Sequence, residues 1–193
     1  RRDNPNWDGR DDGVDGSLAG GSLTGPCDAK GWYGLWCDAV GGSVESISLV
    51  SNNLNGSLTD GLASDSTFAM GSIDMSHNKH LGGTLPDSWY AAWSQLASLK
   101  LTSTSVSGTL PNSWGTQVTS SWPLISLSLS FSPVSGTLPD SWASWDRLRS
   151  LSLSFTSISG TLPDSWGFAW PSDTFETLIL SSTSISGTIP DSW

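Results

Sequence analysis

The last third of the chain states one phrase three times: VSGTLPDSW at 134 to 142, ISGTLPDSW at 158 to 166 and ISGTIPDSW at 185 to 193. Self-similarity at such a period constrains a fold more than any local propensity does. Each unit is too small to bury its own apolar face and must stack on a neighbour. The expectation is a coil of stacked units rather than a globule around one central core. The glycine of the phrase traces the repeat back as Gly56, Gly83, Gly108, Gly136, Gly160 and Gly187, at steps of 24 to 28 residues.

Upstream of each glycine, apolar residues hold fixed offsets. Leu148, Leu151, Leu153 and Ile158 precede Gly160, and Phe175, Leu178, Leu180 and Ile185 precede Gly187. The same offsets select Leu96, Leu99, Leu101 and Val106, then Leu124, Leu127, Leu129 and Val134. Val44, Ile47, Leu49 and Leu54 form an earlier turn, and Met70, Ile73, Met75 and Leu81 another if one extra residue is allowed near Lys79 and His80. Each Leu-x-Leu pair alternates apolar and polar residues, the pattern of a short strand with one buried face. Stacked in register, these strands predict a parallel sheet along one side. A Gly, a Thr and an X-Pro step then end the strand and bend the chain. The Trp of PDSW falls at the next inward spacing, as Trp89, Trp114, Trp142, Trp166 and Trp193, with Trp93, Trp122, Trp145 and Trp170 following.

The pattern L-x-x-L-x-L-x-x-T-x-[VI]-S-G-T-L-P-x-S-W resembles the extracellular leucine-rich-repeat class of plants. It is most similar to the promastigote surface antigens of trypanosomatid protozoa, over residues 27 to 193. Plant-type repeats carry Asn three residues after the second strand Leu. Here that slot holds Thr104, Ser132, Thr156 and Thr183, with Asn only at Asn52 and Asn78, and Thr is common there in the protozoan repeats. A hydroxyl is expected to do a similar job with fewer donors. The resemblance implies an α/β solenoid: a right-handed coil with a parallel β-sheet on its concave face and irregular turns on its convex face. The tryptophans occupy slots where such repeats place a core Leu, so they are expected to fill the core rather than to stack on carbohydrate.

Residues 26 to 49, PCDAKGWYGLWCDAVGGSVESISL, resemble the N-terminal cap of such solenoids. Cys27 and Cys37 are the only cysteines. The resemblance implies that they form a disulfide in an oxidising compartment, with Trp32 and Trp36 beneath it; two free thiols in a cytosolic protein is the alternative. The organisation expected is an acidic, Gly-rich leader at 1–25, the cap at 26–43, and about six repeats at 44–193, the last without a closing cap.

Eight Lys and Arg stand against 18 Asp and Glu, a formal charge of −10, which repels nucleic acid and anionic membranes. No stretch reaches the apolar length of a membrane span and no signal peptide opens the sequence, so the chain reads as a mature or trimmed form. Asn55-Gly56-Ser57 is a glycosylation acceptor triplet. In the leader, Asn4, Asn6, Asp8, Gly9, Asp12 and Asp15 have calcium-loop spacing. The first ligand there is Asn, Pro5 stiffens the entry and no bidentate Glu closes the loop, so a solvated leader is expected instead.

Little in the sequence points to chemistry. His77, His80 and nearby Asp74 lack the spacing of a metal site or triad, and read as a surface bulge. Asp87, Asp140, Asp164 and Asp191 recur once per turn and read as turn or capping residues, since catalysis needs one site with unlike neighbours. No enzyme and no cofactor is expected. Function in this fold is carried by outward residues of the strand face. Three columns result: Ser46, Ser72, Ser98, Ser126, Ser150 and Thr177; Ser48, Asp74, Lys100, Ser128, Ser152 and Ile179; and Val50, Ser76, Thr102, Ser130, Ser154 and Ser181. On this carpet of hydroxyls Asp74, Lys100, Phe131, Arg149 and Phe155 stand out as candidate contacts. The function expected is surface display, adhesion or recognition of a protein or glycan partner outside the cell or at its surface. The alternative is a structural module that self-associates end to end through its last turn into a filament. Ice binding by hydroxyl arrays is a minor third reading, weakened by the lack of strict Thr-x-Thr columns on this face.

Overall fold

The computed structural model describes residues 27, 33–38, 43–59, 61, 68–116, 122–170 and 174–193. The leader with its calcium-like spacing, and Trp32, lie outside the described residues. Strands are short: β1 (Leu35–Cys37), β2 (Val44–Ser48), β3 (Asn55–Leu58), β4 (Phe68–Asp74), β5 (His80–Gly83), β6 (Ser98–Lys100), β7 (Gly108–Thr109), β8 (Ser126–Ser128), β9 (Val134–Thr137), β10 (Ser150–Ser152), β11 (Ser157–Gly160), β12 (Thr177–Ile179) and β13 (Ser184–Ile185). One sheet runs β1-β2-β4-β6-β8-β10-β12. β1 is antiparallel to β2, and all later neighbours are parallel, with Ile47, Ile73, Leu99, Leu127, Leu151 and Leu178 opposite one another. Those residues alternate with mostly polar residues along the strands, so one face packs inward against the coil's axis and the other forms an even surface. This is an α/β solenoid of leucine-rich-repeat type.

The turns are more regular than expected. A second parallel ladder, β7-β9-β11-β13, runs along the coil. β3 and β5 pair in the same sense in the early turns, and a Thr84–Ser107 bridge connects toward β7. The reason lies in the Gly-Thr step. Gly136 has φ +85°, a left-handed conformation that side chains rarely adopt, and a Cβ there would meet the Thr109 methyl at 2.9 Å. From Gly108 onward a threonine methyl of one turn thus sits over the glycine of the next, as Thr137 does over Gly160 and Thr161 over Gly187. A step that appears to terminate a strand therefore registers one turn on the next.

Beyond the second ladder, PDSW folds into single helical turns: α1 (Trp89–Ala92), 3₁₀ turns at Asn112–Gly115 and Asp140–Ser144, and α2 (Asp164–Ala169). The aspartates do not cap these turns with their side chains. Pro139 and Pro163 hold the N-cap position, which places Asp140 and Asp164 one residue inside the turn. The carboxylates reach across turns instead: Asp140 accepts from Ser165 at 3.2 Å, and Asp87 accepts from Ser113.

The indoles fill the core in two columns. Trp89, Trp93, Trp114, Trp122, Trp142, Trp145, Trp166 and Trp170 are all buried. The indole N–H of Trp114, Trp142 and Trp166 donates to Pro86, Pro111 and Pro139 carbonyls of the preceding turn at 3.0–3.1 Å. In the other column, Trp122 donates to Trp93 and Trp145 to Trp114. A Leu would fill the volume but could not satisfy that carbonyl, so Trp supplies packing and a cross-turn hydrogen bond together. Trp193 departs from the expectation: it is 43% exposed, with no further turn of the described residues stacked over it.

Two further expectations need correction. Asn78 bridges turns: its Oδ1 accepts the N–H groups of Asn52 and Leu54 at 3.0 and 2.9 Å, and its Nδ2 donates to the Leu49 and Met75 carbonyls. Thr104, Ser132, Thr156 and Thr183 do not replace it. Each hydroxyl donates only to the carbonyl three residues back, on Leu101, Leu129, Leu153 and Leu180, because the side chain is too short to reach the neighbouring turn. In the cap, Cys27 and Cys37 are bonded, with Cα atoms 5.6 Å apart. Trp36, however, is 55% exposed rather than beneath the bridge. Alternation along β1 turns Leu35 and Cys37 inward and leaves Trp36 on the outer face.

Candidate functional site

The outer surface of the long sheet is made by the three predicted columns, and strand pairing places Ser48, Asp74, Lys100, Ser128, Ser152 and Ile179 side by side. The third column is less open than the sequence suggests, since Ser76, Ser130 and Ser154 are buried. Their hydroxyls stitch turns together. Ser46 pairs with Ser72 at 2.8 Å, Thr102 with Ser128 at 2.7 Å and Ser130 with Ser152 at 2.8 Å, while Ser76 and Ser130 accept the backbone N–H of Thr102 and Ser154. Where Ile179 replaces serine in the central column, Ser154 Oγ is buried without a partner. Six of the fourteen hydroxyls in the three columns are paired with one another.

The five candidate contacts fall into three places. Asp74 and Lys100 are neighbours in the central column, with Asp74 Oδ1 accepting the Ser76 N–H at 3.1 Å. Arg149 lies just before β10 and pairs with Glu176 at 3.0 Å, both side chains more than half exposed; such a pair contributes about 0–1 kcal/mol. Beside it, Ile125, Asp146, Arg147, Arg149 and Thr174 line an open cleft of about 290 Å³. Phe131 and Phe155 lie at the other end of the strands and meet face to face. Their ring centroids are 4.4 Å apart and their planes 11° from parallel.

The phenylalanine pair stands on unusual backbone. Ser51, His77, Ser103, Phe131, Phe155 and Ser182 occupy one position per turn, and all have φ between +53° and +61°. Few residues other than Gly adopt that region, and for a bulky side chain it is an outlier. Cross-turn hydrogen bonds hold it there: the N–H groups of His77, Ser103, Phe131 and Phe155 donate to Thr102, Ser130, Ser154 and Ser181 carbonyls at 2.7–2.9 Å. Phe131 and Phe155 are 54% and 52% exposed. Ile125, in the turn of Phe131, and Ile179, in the turn after that of Phe155, are 40% and 41% exposed. The signal for Ile179 was available, an apolar residue in a column otherwise polar. The left-handed backbone had none, since Ser, His and Phe share no turn chemistry.

Asn55 opens β3 and is exposed, as are Gly56 and Ser57. His77 and His80 are both exposed, and among the described residues no group of three His, Cys, Asp or Glu is placed to hold a metal ion.

The Leucine Rich Repeat family model matches residues 147–169. No curated protein matches the chain in sequence. Among solved structures, the fold is similar to the Arabidopsis receptor kinase HAESA in complex with the peptide hormone IDA and the co-receptor SERK1, at 28% identity and TM-score 0.71 over 86% of this chain and 26% of that one. It is also similar to the ectodomain of the Arabidopsis thaliana membrane receptor kinase GASSHO1/SCHENGEN3 in complex with CASPARIAN STRIP INTEGRITY FACTOR 2, at 25% identity and TM-score 0.71 over 83% and 18%. A plant ice-binding protein aligns at 24% identity and TM-score 0.72 over 89% and 52%, a likeness of fold alone. The chain thus spans between 18% and 52% of the length of these structures. Among the described residues, no helix is long and apolar enough to cross a membrane.

Proposed function

We propose that the chain is an extracellular recognition module that presents the outer surface of its long sheet, with the Phe131–Phe155 pair as apolar anchor, to a protein ligand. One observation carries this reading. The two rings lie half exposed on a backbone position that Ser51, Ser103 and Ser182 fill at the same φ. The fold therefore asks for no ring there. A stacked pair returns about 0.5–1.5 kcal/mol, while leaving apolar area in water that a partner would cover. A peptide side chain suits this better than a glycan, because the rings offer apolar area and the hydroxyls of Ser128, Ser130 and Ser152 on the adjacent strands are spent within the sheet.

The extracellular setting is supported by the Cys27–Cys37 bridge and by similarity to two plant receptor kinases, one solved as its ectodomain and the other with a peptide hormone. Threonine in the asparagine slot supports a place beside the trypanosomatid surface antigens. The test is selection of displayed peptides against the oxidised protein, followed by the double variant F131S/F155S, whose serines match the rest of the column. Loss of at least about tenfold in affinity, or about 1.4 kcal/mol, is expected for most selected peptides. Peptides that bind the double variant unchanged would remove the anchor from the proposal, and a glycan array responding to the same change would replace the protein ligand with a glycan.

A further inference from the structure

We infer that Asn55 is an N-glycan attachment site. The inference rests on the extracellular reading for its compartment, and on local geometry for the rest. Asn55-Gly56-Ser57 has a hydroxyl residue two positions after the amide, the arrangement an oligosaccharide transferase recognises. All three residues are exposed, at the open end of β3. A Cβ added at Gly56 would meet nothing within 4 Å, so the acceptor segment stands in open space. Asn78 is the contrast: it is fully buried, its amide is committed to the bridge between turns, and His80 stands where the hydroxyl residue would be needed.

The transfer uses a lipid-diphosphate-linked oligosaccharide as co-reactant. Asn55 Nδ2 attacks the anomeric carbon of the sugar and the N–C bond forms. The C–O bond to the diphosphate breaks, the lipid diphosphate leaves with that electron pair, and one amide proton passes to a base of the transferase. The placement has a physical consequence. Among the described residues β3 pairs with β5 alone, and an edge of that kind is where another chain could add a strand. A bulky hydrophilic group at Asn55 hinders that approach. It lies in the first turn, whereas Phe131 and Phe155 belong to later ones, and leaves the proposed recognition surface uncovered.

The experiment directs the full chain into the secretory pathway of a eukaryotic host. The Asn55 peptide is mapped by mass spectrometry in medium and microsomal fractions, before and after enzymatic glycan release, which converts a modified Asn to Asp. The expected result is modification at Asn55, complete loss of the mass increment in N55Q and S57A, and its retention in S57T. Because transfer precedes export, the microsomal fraction scores variants that fail to leave the cell. An unmodified Asn55 on a chain whose Cys27–Cys37 bridge has formed would overturn the inference and leave the extracellular reading standing. Two free thiols in chain recovered from its native source would instead overturn the extracellular reading.

Discussion

Two glycines separate the contributions of backbone strain and of close stacking, and their substitution by alanine should differ in cost by about a factor of two. A Cβ on Gly115 would lie 2.2 Å from the Ser141 carbonyl oxygen, 2.3 Å from its carbon and 2.7 Å from the Trp142 nitrogen. A relaxed C···O contact is about 3.3–3.6 Å, and every atom met is backbone, so G115A forces the two turns apart by about 1 Å. That separation breaks the Ser141 Oγ bond to the Asn112 carbonyl at 2.8 Å and the Trp142 indole bond to Pro111 at 3.0 Å. At about 1 kcal/mol each, with the lost dispersion between the stacked Trp114 and Trp142 added, the cost is about 4 kcal/mol. Gly136 is different. G136A pays left-handed strain of about 1–2 kcal/mol, and its Cβ meets a threonine methyl at 2.9 Å, which can shift; the total is about 2 kcal/mol. Urea unfolding followed by tryptophan fluorescence and circular dichroism measures both, reading the first transition because stacked repeats can open locally. Should G136A prove as damaging as G115A, or G115A cost less than about 1.5 kcal/mol, the turns are not stacked as tightly as the coordinates require.

N78A should cost about 3–4 kcal/mol, since it strands buried groups in two turns, whereas T104A loses only local bonds, to the Leu101 carbonyl and a long one from the Val106 N–H, together worth about 1 kcal/mol. Hydrogen exchange at the Asn52 and Leu54 amides should accelerate in N78A only. W142F keeps most of the ring volume but leaves the Pro111 carbonyl without its donor, for an expected loss of about 2–3 kcal/mol in urea unfolding; a wild-type midpoint would show that the indole N–H contributes nothing. Replacing Cys27 and Cys37 with serine should lower stability by about 2–3 kcal/mol, with increased exchange confined to β1 and β2.

The coil, its strands and its core were legible because they depend on periodicity, which a single sequence displays in full. Every apolar residue of the Leu96 to Val106 and Leu124 to Val134 sets is buried, and the tryptophans except Trp193 fill the slots the spacing assigned. Trp36 differs from its expectation for a local reason: the period of two along β1, not proximity to a cysteine in sequence, sets which way it faces. The second ladder is not legible residue by residue, because glycine and proline taken singly signal a break. Whether Gly136 ends a strand or seats one depends on Thr109, a residue one full turn away.

That dependence on the neighbouring turn also explains why the candidate site was only half visible. Sequence identifies which residues point outward, so Phe131 and Phe155 emerged together with Asp74, Lys100 and Arg149. It does not say which outward residues are already occupied. Arg149 is paired with Glu176, Ser46 with Ser72 and Ser130 with Ser152, through contacts 22 to 27 residues distant in sequence. Phe131 and Phe155, with Ile125 and Ile179, are the apolar groups of these turns left half exposed. The proposed recognition surface lies where one such cross-turn pair is missing, at Ser154 Oγ next to Phe155.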